Sequence, residues 1–174
     1  MYHLYKKLLR LVAKGLGGTV NVVDQILRYV VAIGVATIMF AIIFHICGRY
    51  FWGITYMGTM ELLRYTMIWV SLLGAVLAFR AKEHVIVNIF EGRMSPRNLL
   101  RLSIVADTFL FVFLLAMVVG GVEISMRNMN QISLGLQIPM GYPYLAIPVG
   151  GGFMILYVLL NVVENILGLT TMET

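Results

Sequence analysis

Apolar residues fall into four long blocks separated by short polar stretches. The first runs from about Tyr29 to Phe51 and carries no formal charge between Arg28 and Arg49. The second, about Gly58 to Phe79, is uncharged only from Tyr65 to Phe79, so a helix long enough to span must take in Glu61 and Arg64. The third covers about residues 97–125 and the fourth about 142–167. Each is close to the ~20 residues that a ~30 Å hydrocarbon layer requires at ~1.5 Å rise per residue. Peptide groups in lipid must be satisfied within their own segment, which selects helices; a barrel would show short alternating strands. The pattern predicts an all-α integral membrane protein with four transmembrane helices in a domain over residues 29–168 and a tail over 169–174.

Ahead of the first block the period changes. Leu4, Leu8, Leu11 and Val12 share one face of a helix, and Lys6, Lys7, Arg10 and Lys14 the other. Such a segment is expected to lie in the headgroup layer as an amphipathic helix, its basic residues toward anionic lipid. Gly15, Gly17 and Gly18 are expected to break it from the first span, so that residues 1–28 form an interfacial helix and a linker. The apolar run that follows is too long for a cleaved signal core and lacks a small-residue cleavage site.

The connections decide orientation. Lys6, Lys7, Arg10, Lys14 and Arg28 precede the first span, and Arg80, Lys82, Arg93, Arg97 and Arg101 surround the second connection. The other two connections hold little more than Arg49 and Arg127. Basic and poor segments alternate, which places both termini on the cytoplasmic side of a bacterial inner membrane. The middle connection, Arg80 to Pro96, mixes charge with Val85, Ile86, Val87, Ile89 and Phe90, as a segment lying on the membrane surface or against a partner would. Ser95 and Pro96 then place a cap and a first-turn proline at the start of the third helix. Three of the four prolines crowd into Pro139–Pro148. Pro139 and Pro143 favour an extended approach to the last helix. Pro148, inside it and followed by Gly150, Gly151 and Gly152, frees a carbonyl one turn earlier and predicts a kink with close backbone contact.

Composition agrees. Hydrophobic residues are 60% and charged residues 12% of 174 positions, against roughly 25% charged in a soluble domain. The net charge of +5 sits at the ends of apolar blocks and not in one stripe, so nucleic acid is not an expected partner. A single cysteine, Cys47, excludes an internal disulfide framework.

Ionisable groups at membrane depth are the candidates for chemistry. His45 lies in the outer half of the first helix, but His84 lies past the inner end of the second, about 24 Å away along the axis. The two cannot share an iron, so no haem held by two histidines is expected within one copy. Glu61 and Arg64 are three apart on one helix face and predict a local ion pair near the outer surface, with Arg49 placed to join them. Asp107 and Glu123 sit near opposite ends of the third helix and do not continue a carrier pathway. No nucleophile–base pair, metal-ligand spacing or nucleotide loop occurs. No enzyme, metal or cofactor is expected. Without an internal inverted repeat or a matched pair of broken helices, the chain is also a poor transporter alone.

The ordered features resemble a known family. Cys47-Gly48-Arg49-Tyr50-Phe51 is followed by Glu61-Leu62, Arg64-Tyr65, Trp69 and Leu73-Gly74-Ala75; then come Arg80, His84 and Val85-Ile86-Val87. The last helix is introduced by Ser133, Leu136, Ile138-Pro139 and Tyr144-Leu145-Ala146-Ile147-Pro148, then Gly150. This run, over about residues 28–157, is similar to the small (Q-type) membrane subunit of tripartite ATP-independent periplasmic (TRAP) transporters. The resemblance implies an accessory subunit of a sodium-coupled secondary transporter for an organic acid, such as a sialic acid or a dicarboxylate, delivered by a periplasmic binding protein. It implies a 1:1 pairing with a large elevator-type membrane subunit that carries substrate and sodium, with no substrate on this chain. Arg49, Glu61, Arg64, Trp69, His84, Pro139, Pro148 and Gly150 are then the expected contacts with that subunit or with lipid, and Lys6, Lys7, Arg10 and Lys14 the interfacial lipid contacts. Two other classes remain open on the sequence: a membrane anchor of a respiratory complex, and a small homo-oligomeric channel or carrier.

Overall fold

The computed structural model describes residues 2–53, 56–81 and 96–172. These form α1 (Tyr2–Phe51), α2 (Met57–Ala81), α3 (Pro96–Arg127), a single-turn α4 (Gly141–Tyr144) and α5 (Ala146–Met172). Four stretches are long and apolar enough to cross a membrane: Val20–Phe51, Met57–Ala81, Asn98–Arg127 and Gly141–Val163. Among the described residues the fold is thus all-helical with four helices long and apolar enough to span, as the apolar blocks predict.

The beginning of the chain departs from expectation. α1 continues for 50 residues without the break expected at Gly15–Gly18. Each glycine costs a helix about 1 kcal/mol relative to alanine, but it keeps its N–H and removes no rung of the ladder. Growth of a helix from existing turns is cooperative, so strong neighbours on both sides carry it through. At ~1.5 Å per residue α1 is about 75 Å long, far more than one hydrocarbon layer takes up. Residues 2–28 are therefore continuous with the first span in one helix, with no linker between them.

At the other end the break expected at Pro148 is present, but the extended approach expected at Pro143 is not: Met140 is already in the helical region and Gly141–Tyr144 is a helical turn. The last span is interrupted at Leu145, between α4 and α5. Pro148 has no N–H to give to the carbonyl of Tyr144, four residues earlier, and the helix breaks there. The ladder closes around the gap, with Leu145 N–H donating to Gly141 O at 3.0 Å and Val149 N–H to Leu145 O at 3.1 Å.

α5 is the hub. A third (33%) of the apolar 18-residue stretch within Gly141–Val163 is buried, against 6% of that within Val20–Phe51. A core of Val20 and Leu27 from α1, Leu73 and Val76 from α2, and Tyr157 and Leu160 from α5 fills the end of the bundle nearer the chain termini. There the Arg80 guanidinium lies 5.4 Å from the centre of the fully buried Tyr157 ring, a cation–π contact. α3 packs against α5 through glycines that admit close approach: a Cβ on Gly121 would lie 2.8 Å from Ile147 and 2.9 Å from Pro148. The later part of α1 leans on α2 at one tight crossing, where Gly34 faces Val70. Ile33 beside it, and Phe40 and Phe44 beyond it, are exposed.

Candidate functional site

Two sets of polar side chains, one toward each end of the bundle, hold elements distant in sequence. The first is built on Glu61, one turn into α2. Residues 128–140 fold back as an irregular hairpin closed by a bridge between Ile132 and Pro139. Its rungs run from Ser133 N–H to Ile138 O at 2.9 Å and from Met140 N–H to Gln131 O at 2.8 Å. The turn between them leaves the N–H groups of Gly135 and Leu136 pointing outward, and both donate to the Glu61 carboxylate, at 3.0 and 2.9 Å. One anion thus satisfies two neighbouring amides that a short turn cannot satisfy itself. The approach is close because both chains carry glycine at the contact: a Cβ on Gly135 would lie 2.9 Å from the Gly58 nitrogen. Gln137 completes the turn at φ 58°, in the left-handed region usually left to glycine or asparagine.

This geometry replaces the ion pair expected between Glu61 and Arg64. With both carboxylate oxygens taken by the hairpin, Arg64 is exposed and makes no ion pair or hydrogen bond with any described residue. Arg49 is likewise exposed, near the end of α1. His45 lines an apolar recess of about 250 Å³ with Phe44, Gly48, Trp52, Tyr56 and Thr59.

The second set joins α3 to α5 and was not foreseen. Asp107 is 6% exposed and accepts from Asn161 Nδ2, at 3.3 and 3.1 Å to its two oxygens, and from Asn165 Nδ2 at 3.2 Å. Asn165 Nδ2 also donates to Ser103 Oγ at 2.9 Å. The signal lay in spacing: Ser103 and Asp107 are four apart, and so are Asn161 and Asn165, which places each pair on one helix face. Polar pairs of this kind tie transmembrane helices together, because the alternative is an unsatisfied group in hydrocarbon.

The remaining expected residues are spread through the fold. Trp69 packs on the core and lines the α1–α2 seam with Gly34 and Val70. Pro139 forms the hairpin bridge and accepts from Tyr142 N–H at 3.2 Å. Pro148 faces Gly121 of α3, and Gly150 is buried against Leu72 and Val76 of α2, so both serve close packing inside the chain. His84 lies outside the described residues, as does most of the middle connection. Lys6, Lys7, Arg10 and Lys14 belong to the first turns of α1.

What this arrangement does chemically is hold helices. Among the described residues, no group of three or more His, Cys, Asp or Glu side chains is placed to bind a metal ion. Fold and site together define a multi-pass helical membrane protein whose polar groups at depth bind its own elements to one another. The signature described as "Tripartite ATP-independent periplasmic transporters, DctQ component" matches residues 38–168, well over half of the chain. The chain belongs to that family, the small component of the TRAP transporters. A protein of Haemophilus influenzae (strain ATCC 51907 / DSM 11121 / KW20 / Rd), provisionally named a TRAP transporter small permease protein, is 29% identical over 93 residues. That stretch is 53% of this chain and 58% of the relative, so the chain spans less than two thirds of the relative's length.

Proposed function

We propose that the chain is the accessory, scaffold-forming subunit of a sodium-coupled secondary transporter that takes up an organic acid delivered by a periplasmic binding protein. It pairs 1:1 with the large elevator-type membrane subunit, which carries substrate and sodium. It sits in the inner membrane with both termini cytoplasmic, so that the hairpin and the Glu61 end face the periplasm. Sialic acids and dicarboxylates are the substrate classes in view. This chain binds none of them.

The family match over residues 38–168 is the observation that carries the reading. The site chemistry supports it, since Glu61 and Asp107, the two acids of the spans that contact other elements, are engaged in holding the fold. A protein that enlarges a stationary scaffold needs rigid helices and a broad apolar exterior, not a path for ions. Purification of the tagged chain from its native host in mild detergent, with mass spectrometry of what accompanies it, tests the pairing. A near-stoichiometric, very hydrophobic partner with several times as many spans is expected. Recovery of this chain alone as a defined homo-oligomer, active in liposomes by itself, would refute the proposal.

A further inference from the structure

The outer surfaces of the helices differ in kind. α1 and α3 expose large apolar groups, among them Ile33, Phe40, Phe109 and Phe113, at 64–75% of their full accessibility. Bulky aliphatic and aromatic exteriors of this sort suit lipid chains. α2 does not look like that. Apart from Leu62 and the end residues Met57 and Ala81, its exposed positions form one stripe at spacings of three or four: Met60, Arg64, Met67, Ser71, Ala75 and Ala78. Gly74, between them, has nothing within 4 Å of where a Cβ would stand. Small residues on a transmembrane helix let another backbone come close, and methionine adapts to whatever surface it meets.

Arg64 is the decisive member. It lies seven residues after Met57, about 10 Å along the axis from the start of α2. The helix has 25 residues and so little length beyond the ~30 Å hydrocarbon layer. With the excess length shared between the two ends, Arg64 lies about 7 Å below the outer boundary of that layer, exposed at the surface of the chain. Its natural counter-charge, Glu61, is one turn away, but the two hairpin amides occupy that carboxylate. A guanidinium at this depth is costly unless something of opposite charge meets it.

We infer that the Met60–Ala78 stripe of α2 is the face on which a transmembrane helix of the large subunit packs, and that this helix presents an aspartate or glutamate to Arg64. The inference rests on the pairing proposed above and names the surface and the chemistry that perform it. The partner is not a second copy of the chain. A two-fold contact through this stripe would set Arg64 against Arg64, like charge on like in a low-dielectric layer. The small inner half, Ser71 to Ala78, allows the close approach, and the arginine–carboxylate pair sets the depth at which the helices register.

The test uses the full chain co-expressed with its large subunit in native membranes. A photo-crosslinking side chain is placed at Met67 on the stripe or, as a control, at Phe109 on the bulky face of α3. In parallel, Arg64→Leu and Arg64→Lys are compared for recovery of the large subunit on the tagged chain. Arg64 makes no hydrogen bond or ion pair with any described residue, so these variants should leave the chain's own fold intact. The expected result is a cross-link to the large subunit from Met67 and none from Phe109. Recovery should fall by about tenfold or more for Arg64→Leu, the consequence of a lone carboxylate left in the interface, and be largely kept for Arg64→Lys. Undiminished recovery with Arg64→Leu would mean that the guanidinium reaches up to lipid phosphate, and overturns the inference. So would capture of the large subunit from Phe109 but not Met67, or of a second copy from Met67. Co-purification of the unmodified chain with the large subunit reports on the proposed function separately, so a wrong face and a wrong partner are told apart.

Discussion

Removing the Asp107 carboxylate isolates how much the α3–α5 clasp contributes to stability. In Asp107→Leu both acceptor oxygens vanish. Asn161 loses its only described partner, and Asn165 keeps Ser103. Interhelical hydrogen bonds in membrane proteins contribute about 0.6 kcal/mol each on average and up to about 1.7 kcal/mol. Two amide contacts, with one donor left without its acceptor, make a loss of about 1–3 kcal/mol. Asp107→Asn keeps one carbonyl acceptor in the same place and should lose less than half of that. The assay is reversible unfolding of the purified chain in mixed micelles, followed by far-UV circular dichroism, for Asp107→Leu, Asn161→Leu and the double variant. Because the two side chains act on each other, the double variant should lose clearly less than the sum of the singles. Strict additivity, or an Asp107→Leu protein as stable as the parent, would refute the view that this cluster ties the two helices.

Other consequences follow from close contacts and turn geometry. Gly121→Leu should destabilise the α3–α5 crossing by more than about 2 kcal/mol, since even a Cβ would lie 2.8 Å from Ile147, while Gly152→Ala, with open space around it, should be neutral or slightly stabilising in the same melt. Glu61→Gln keeps the shape but removes the charge that holds two amides; hydrogen exchange read by mass spectrometry should quicken at Gly135 and Leu136 and stay slow at Ser133, whose N–H is bonded to Ile138 O. Gln137→Gly relieves a side chain at φ 58° and should raise the melting midpoint or leave it unchanged, and a fall of several degrees would show that the Gln137 side chain has a role of its own.

Much of the architecture is written in one dimension. Length and apolarity select four spans, because a peptide group in hydrocarbon has no partner except the next turn of its own helix. The helix break at Leu145 is also local, since the missing N–H of Pro148 acts on a carbonyl four residues back. The continuity of α1 through Gly15–Gly18 went the other way from expectation, for a reason of degree: glycine weakens a helix without breaking its ladder, and composition alone does not say which side of the balance wins.

Which side chains meet was decided by tertiary structure. Glu61 and Arg64 are neighbours in sequence, and spacing pairs them. In the folded chain a hairpin 74 residues away offers two converging amides, and the carboxylate takes those instead. Asp107 finds Asn161 and Asn165 across 54 and 58 residues, a juxtaposition that depends on how α3 rotates against α5. Pro148 and Gly150 likewise turned out to face Gly121 and α2 within the chain. Hydropathy and backbone chemistry act along the chain and are legible there. The pairing of polar groups depends on helix rotation and register, which only the packed set of helices determines.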